Sequence, residues 1–198
     1  EKVEVERAFL PEPEKICQPY IEEEMEVSFP MFQLGFKEEP DQGGEQGDVE
    51  TEVLLELMAS DASPLFRRLL DAGLVNESSF GCGRFSGSGY SCVLFSGESR
   101  DPKAVAEEVC REAERLRKEG IDPQDFSRAQ KAVYGRNISL LNSAEAIANA
   151  MVSLTFRGQE IFRYLEAIAA LTPEDLNRRL QTQMLRENAV LSVVSPRK

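Results

Sequence analysis

The side chains available for chemistry in this chain are carboxylates, arginines and cysteines, because it contains no histidine. That absence removes Ser-His-Asp and Cys-His triads, His-based zinc sites and the commonest general base together. Hydrolysis carried by these residues alone would need paired carboxylates or Lys/Ser chemistry. The carboxylate runs are Glu22 to Glu24, Glu38-Glu39 and Glu107-Glu108. Their members are adjacent in sequence and do not converge on one helix face, so a solvated surface is the expectation for each. Cys17, Cys82, Cys92 and Cys110 include no C-x-x-C spacing, which argues against a disulfide scaffold or a structural zinc site. Cys82 and Cys92 could face each other across a hairpin, but reduced, half-buried core thiols are expected. Gly81-Cys82-Gly83, followed by Gly87 and Gly89, opens no helix as G-x-G-x-x-G and lacks G-K-[ST], so these are read as hairpin glycines. Arg67-Arg68 is read as a surface pair on an amphipathic helix, with binding of an acidic group as the sharper alternative. No catalytic or metal-binding residue is assigned, and the substrate-binding residues are unknown at this stage.

These residues must be positioned by a chain of 198 residues, 41% hydrophobic, enough for one sizeable core. No apolar run of about 18 residues is present, so no membrane span is expected. A net charge of −12 argues against nucleic acid or an anionic membrane as partner. The start Glu1-Lys2-Val3 lacks an initiator Met and no signal-like region follows, which suggests a fragment of something longer. The thiols fit a cytoplasmic setting.

Residues 1–24, rich in Glu and Pro, read as an extended, solvated lead-in or linker, and residues 25–198 as one α+β domain. Met25 to Phe36 reads as a strand whose phase shifts beside Pro30, marking a bulge or a break. Lys37 to Gly47 reads as a polar loop. Asp48 to Ser60 is a helix with Val49, Val53, Leu54 and Leu57 on its apolar side. Ser63-Pro64 starts a second helix, with Ser63 as cap, Pro64 at its first position and Gly73 as stop. Two strands around Cys82 and Cys92 follow, joined by Ser86-Gly87-Ser88-Gly89. Asp101-Pro102, Asp122-Pro123 and Thr172-Pro173 start further helices, with Gly120 ending the first and a Glu114–Lys118 pair inside it. Ser143 to Phe156 and Ile161 to Leu171 read as two more, and Leu176, Leu180 and Met184 follow at i,i+4 steps. Ala189 to Val194 is a final strand that must return across the helices to join the sheet. Few strands, hairpin neighbours and many helices predict α+β with an antiparallel or mixed sheet covered on one face, not a doubly wound fold.

Three pieces in this order, FPMFQLGFK (29–37), SPLFRRLLDAGLVNESSF (63–80) and the Pro-capped helices leading to AVLSVVSP, resemble the C-terminal half of an insulinase/pitrilysin-family zinc peptidase. The bacterial processing-peptidase-like members are the most similar. The resemblance implies a mostly antiparallel sheet of about five or six strands with helices on one face. It also implies a zinc held in the N-terminal half, on an H-x-x-E-H helix with a downstream Glu. With no histidine, this chain is expected to carry neither that site nor a cofactor. It would be the partner half, closing a chamber over an extended peptide. Many members carry a substrate-facing Arg and Tyr where Leu70 and Asn76 stand here, so no substrate contact is carried over, and Arg67 and Arg68 do not match by position. Two functions follow: the non-catalytic half of a zinc peptidase, working with an N-terminal catalytic domain or a homologous subunit, or a structural assembly module of a wholly inactive homologue.

Overall fold

A computed structural model describes residues 12–39, 44–87, 89–156 and 158–197. The first eleven residues of the expected lead-in, 1–11, part of the expected loop, 40–43, and Ser88 of the expected hairpin connection lie outside them. In chain order the elements are β1 (Tyr20–Met25), β2 (Met31–Glu38), α1 (Gly44–Ala59), α2 (Pro64–Asp71), β3 (Gly81–Gly87), β4 (Tyr90–Glu98), α3 (Pro102–Glu119), α4 (Pro123–Leu140), α5 (Ala144–Phe156), α6 (Ile161–Ala170), α7 (Pro173–Leu180) and β5 (Ala189–Pro196). The sheet order is β1-β5-β2-β4-β3. Among the described residues only the β1–β5 pair is parallel. The expected α+β fold, with five mostly antiparallel strands and the last strand inserted into the sheet, is what forms. No helix among the described residues is long and apolar enough to cross a membrane.

The period of two decides which sheet face is covered. Phe32, Leu34 and Phe36 of β2, Val93 and Phe95 of β4, and Leu191 and Val193 of β5 are buried beneath the helices. The intervening residues, including the exposed Met31, form the other face. Helix α1 is the centre of the helical layer, packed on α2, α4, α6, α7 and β3. Its expected apolar side is buried, and so are Leu55, Met58 and Ala59, because neighbours surround it.

The helix starts form as their sequences require. Ser63 Oγ accepts from Phe66 N at 3.0 Å, Asp101 Oδ1 from Ala104 N at 3.0 Å, and Asp122 Oδ1 from Gln124 N at 2.8 Å. Thr172 and Asp175 form a reciprocal capping box. Each such cap contributes about 1 kcal/mol. Gly73 and Gly120 end their helices at φ +64° and +80°, a region that disfavours any residue with a Cβ.

Four expectations change. The acidic stretch at the end of the expected lead-in is strand β1, pairing from Tyr20↔Leu191 to Met25↔Pro196. As an edge strand it keeps Glu22 to Glu24 in water, and those charges discourage further pairing. The shift beside Pro30 is a break that separates β1 from β2. Helix α1 begins at Gly44, inside what reads as a loop. Helix α7 stops at Leu180, and Met184, still buried, has φ +54°. Arg117 from α3 caps that end: its Nε donates to Leu180 O at 2.9 Å and its Nη2 to Gln183 O at 3.2 Å. Finally, Glu114 pairs with Arg186 at 2.6 Å in place of the expected Lys118.

Candidate functional site

The residues singled out by sequence do not converge. Leu70 is half-buried at the end of α2. Asn76 serves its own turn, where Oδ1 accepts from Ser79 N at 2.8 Å and Nδ2 donates to Glu98 Oε2 at 3.3 Å. Arg67 pairs with Asp71 at 3.5 Å in solvent, whereas Arg68 reaches across to Glu112 at 2.6 Å. Burial pushes Glu112 up, but hydrogen bonds from Arg115 and Arg68 outweigh it and hold the carboxyl below its ordinary range. Glu107 is hydrogen-bonded by Arg186, which keeps it ionised.

The thiols meet the expectation in part, Cys17 and Cys82 departing from it by their exposure. Register places Cys82 opposite Phe95 and Cys92 opposite Phe85, so the two cysteines point to opposite faces of the hairpin. All four cysteines are free; Cys110 is buried, Cys92 half-buried, and Cys17 and Cys82 exposed.

The carboxylate that the sequence reading places in solvent, Glu38, is instead the centre of a buried polar network. It is the last residue of β2 and continues the inward phase of Phe32, Leu34 and Phe36. Its Oε2 accepts from Ser91 Oγ at 2.9 Å and Arg84 Nε at 3.3 Å. Its Oε1 accepts from Gln183 Nε2 and lies 3.7 Å from Arg179 Nη2. Arg84 also pairs with Asp48 of α1, which accepts from Gln159 Nε2 at 2.9 Å. Gln183 donates in addition to Thr51 Oγ1 at 2.9 Å. Burial pulls the Arg179 guanidinium below its ordinary value, although the charge of Glu38 opposes this. Two acids and two guanidiniums thus tie β2, β3, β4, α1 and the segment after α7 together.

Beside this network, α1, β3, α4 and α6 enclose a groove of about 410 Å³. Glu52 and Glu56 of α1 line one wall, Cys82 and Arg84 the opposite one, and Arg136 and Tyr164 the end. Arg136 holds Glu56 at 2.9 Å and Glu52 at 3.5 Å, and Tyr164 Oη donates to Glu52 at 2.7 Å. Burial works against the charge of Arg136, but the hydrogen bond and charge of Glu56, with Glu52 behind it, raise its pKa. The groove carboxylates are therefore committed as acceptors, and the surface suits binding of a polar chain better than proton transfer. Among the described residues no group of three or more His, Cys, Asp and Glu side chains could hold a metal ion.

Cys82 gives this groove a titration signature. Its position in the wall pushes the thiol up to about 11, with the charge of Glu56 adding to burial and Arg136 opposing. The thiolate is the nucleophile, so alkylation of Cys82 should stay slow near neutral pH despite its open surface, and gain about tenfold per pH unit until pH approaches 11. Peptide mapping of iodoacetamide adducts from pH 7 upward checks this. A Cys82 rate already at its plateau at pH 9 would contradict it.

The comparisons with known proteins now bear on this arrangement. The profile of the peptidase M16 inactive domain matches residues 1–133. The chain belongs to that family. It is 24% identical over 201 residues to the zinc protease YmfH of Bacillus subtilis, across 98% of this chain and 46% of that protein. An M16-like peptidase from Alicyclobacillus acidocaldarius superposes with a TM-score of 0.87 at 25% identity, over 93% of this chain and 45% of that one. The inactive peptidase domain of a zinc protease from Bordetella parapertussis has the same fold, with a TM-score of 0.72 at 12% identity, over 88% of this chain and 95% of that one. This M16 inactive domain spans about half the length of the curated relative it matches. The zinc of the family does not fit its groove, where the carboxylates face arginines and no imidazole exists to join them.

Proposed function

We propose that this chain is the supporting half of a zinc-dependent peptidase. In this reading it closes a substrate chamber and helps hold a peptide, while the zinc and the catalytic groups lie in an N-terminal half or a homologous partner subunit. The observation that carries it is the match to an inactive peptidase domain in a chain spanning about half of a protein named as a zinc protease. The groove agrees chemically: its carboxylates are paired with Arg84 and Arg136, and Tyr164 Oη donates to Glu52, which favours binding over proton transfer. At the places where the resemblance implies an Arg and a Tyr in many members, this chain has a half-buried Leu70 and Asn76, which is occupied in its own turn, so peptide contact would fall to other groups, with Arg136 and Tyr164 of the groove as candidates. The free thiols suit a reducing compartment such as the cytoplasm.

The test is reconstitution. Peptide hydrolysis is measured for this chain alone, for the catalytic half alone and for the two together with zinc. Activity is expected only when both are present, and hydrolysis by this chain alone would overturn the proposal. If the combined protein stays inactive with zinc supplied, the whole is an inactive homologue with a structural role.

A further inference from the structure

Helix α5 is out of keeping with the rest of the molecule. The protein is 29% charged, yet the eleven residues Ala146–Phe156 contain no charged side chain. None of the α5 residues is buried. Its principal packing partner is α6, and it leaves Met151, Val152 and Phe156 facing outward, the last 87% exposed. On α6, Phe162 is 65% exposed, and Ile138 and Leu140 of α4 are exposed as well. A helix uncharged beyond its first turn, with a mainly apolar surface, is stable in water only when something covers it, and an exposed apolar patch of this kind marks an interaction surface.

We infer that α5 and the adjoining end of α6 are the surface on which the other half of the protein docks. Two observations choose that occupant. YmfH and the Alicyclobacillus acidocaldarius peptidase are each about twice as long as this chain, so a second segment of comparable length accompanies this unit in them. The patch is also continuous with the groove: a hollow of about 200 Å³ between α4, α5 and α6 is lined by Leu140, Leu154 and Tyr164, and the same Tyr164 lines the groove. A partner seated on α5 therefore reaches the groove mouth, and its contact face must be apolar and uncharged to match. This rests on the two-half reading above and adds which surface joins the halves.

Hydrogen exchange read by mass spectrometry tests it, comparing the chain alone with the chain joined to the second half. Amides of Ala146–Phe156 should exchange at least about tenfold more slowly in the joined protein. The double variant Met151→Glu/Phe156→Glu should abolish that protection while leaving the far-UV spectrum and melting temperature of the chain alone unchanged. Equal exchange with and without the second half would overturn the inference. So would a dimer of the chain alone that the double variant dissociates, since a second copy would then be the occupant. The readout is independent of catalysis. Protection without hydrolysis leaves the docking surface standing and removes the peptidase reading, whereas hydrolysis without protection does the reverse.

Discussion

Glu38→Ala is expected to cost about 3–5 kcal/mol of folding stability, read as a lowered urea midpoint with unchanged slope. Glu38 is buried, and its carboxylate faces both Arg84 and Arg179. Removing it takes countercharge from the buried Arg179 and the half-buried Arg84, leaves Ser91 Oγ without that acceptor, and takes one acceptor from Gln183 Nε2, leaving it Thr51 Oγ1. The penalty is mainly that of desolvated charge without compensation, so it is far above the 0–1 kcal/mol typical of surface pairs. Two companions separate the causes. Glu38→Gln keeps shape and an acceptor, so it should fall between wild type and Glu38→Ala. Glu108→Ala, at a more exposed pair with Arg111, should fall within about 0.5 kcal/mol of wild type. Similar costs for Glu38→Ala and Glu108→Ala would show that the network is worth no more than a surface pair.

Phe95→Ala is expected to cost about 3–5 kcal/mol as well, for a different reason. Phe95 is fully buried on β4, edge-on to Phe36 at 6.0 Å and 6.4 Å from Phe80, which stacks on Phe66 of α2 at 5.8 Å. Truncation opens a cavity where sheet and helix layer meet and interrupts a row of four rings. Against a total of about 5–15 kcal/mol for a domain, that is a large fraction. Phe85→Ala, on the open face of β3 beside Tyr90, should be nearly neutral in the same urea titration. A neutral Phe95→Ala would mean that the sheet–helix interface does not carry the stability.

How much of this was legible depended on distance along the chain. Ser63, Asp101, Asp122 and Thr172 cap helices through atoms two or three residues away, so their types and spacing are sufficient. The aromatic and aliphatic core follows the same local periods. The end of α7 was not legible, because Arg117, whose guanidinium takes up its terminal carbonyls, lies 63 residues before Leu180. Strand β1 was hidden because an edge strand can be acidic on both faces. The site was the least legible part. Glu38 meets Ser91 and Gln183 across 53 and 145 residues, and the groove requires α1, β3, α4 and α6 together. One signal was nevertheless present: Glu38 falls in the inward phase of Phe32, Leu34 and Phe36, and a carboxylate in that register needs a buried partner. The zero count of histidine is itself enough to exclude a His-ligated zinc site built from this chain's own residues.

Elemental analysis of the purified chain after zinc exposure and gel filtration, with peptide hydrolysis followed on the same sample, addresses the supporting role most directly. The expected result is zinc far below one equivalent and no hydrolysis above buffer. One tightly held zinc per chain, with hydrolysis that a chelator abolishes, would contradict it.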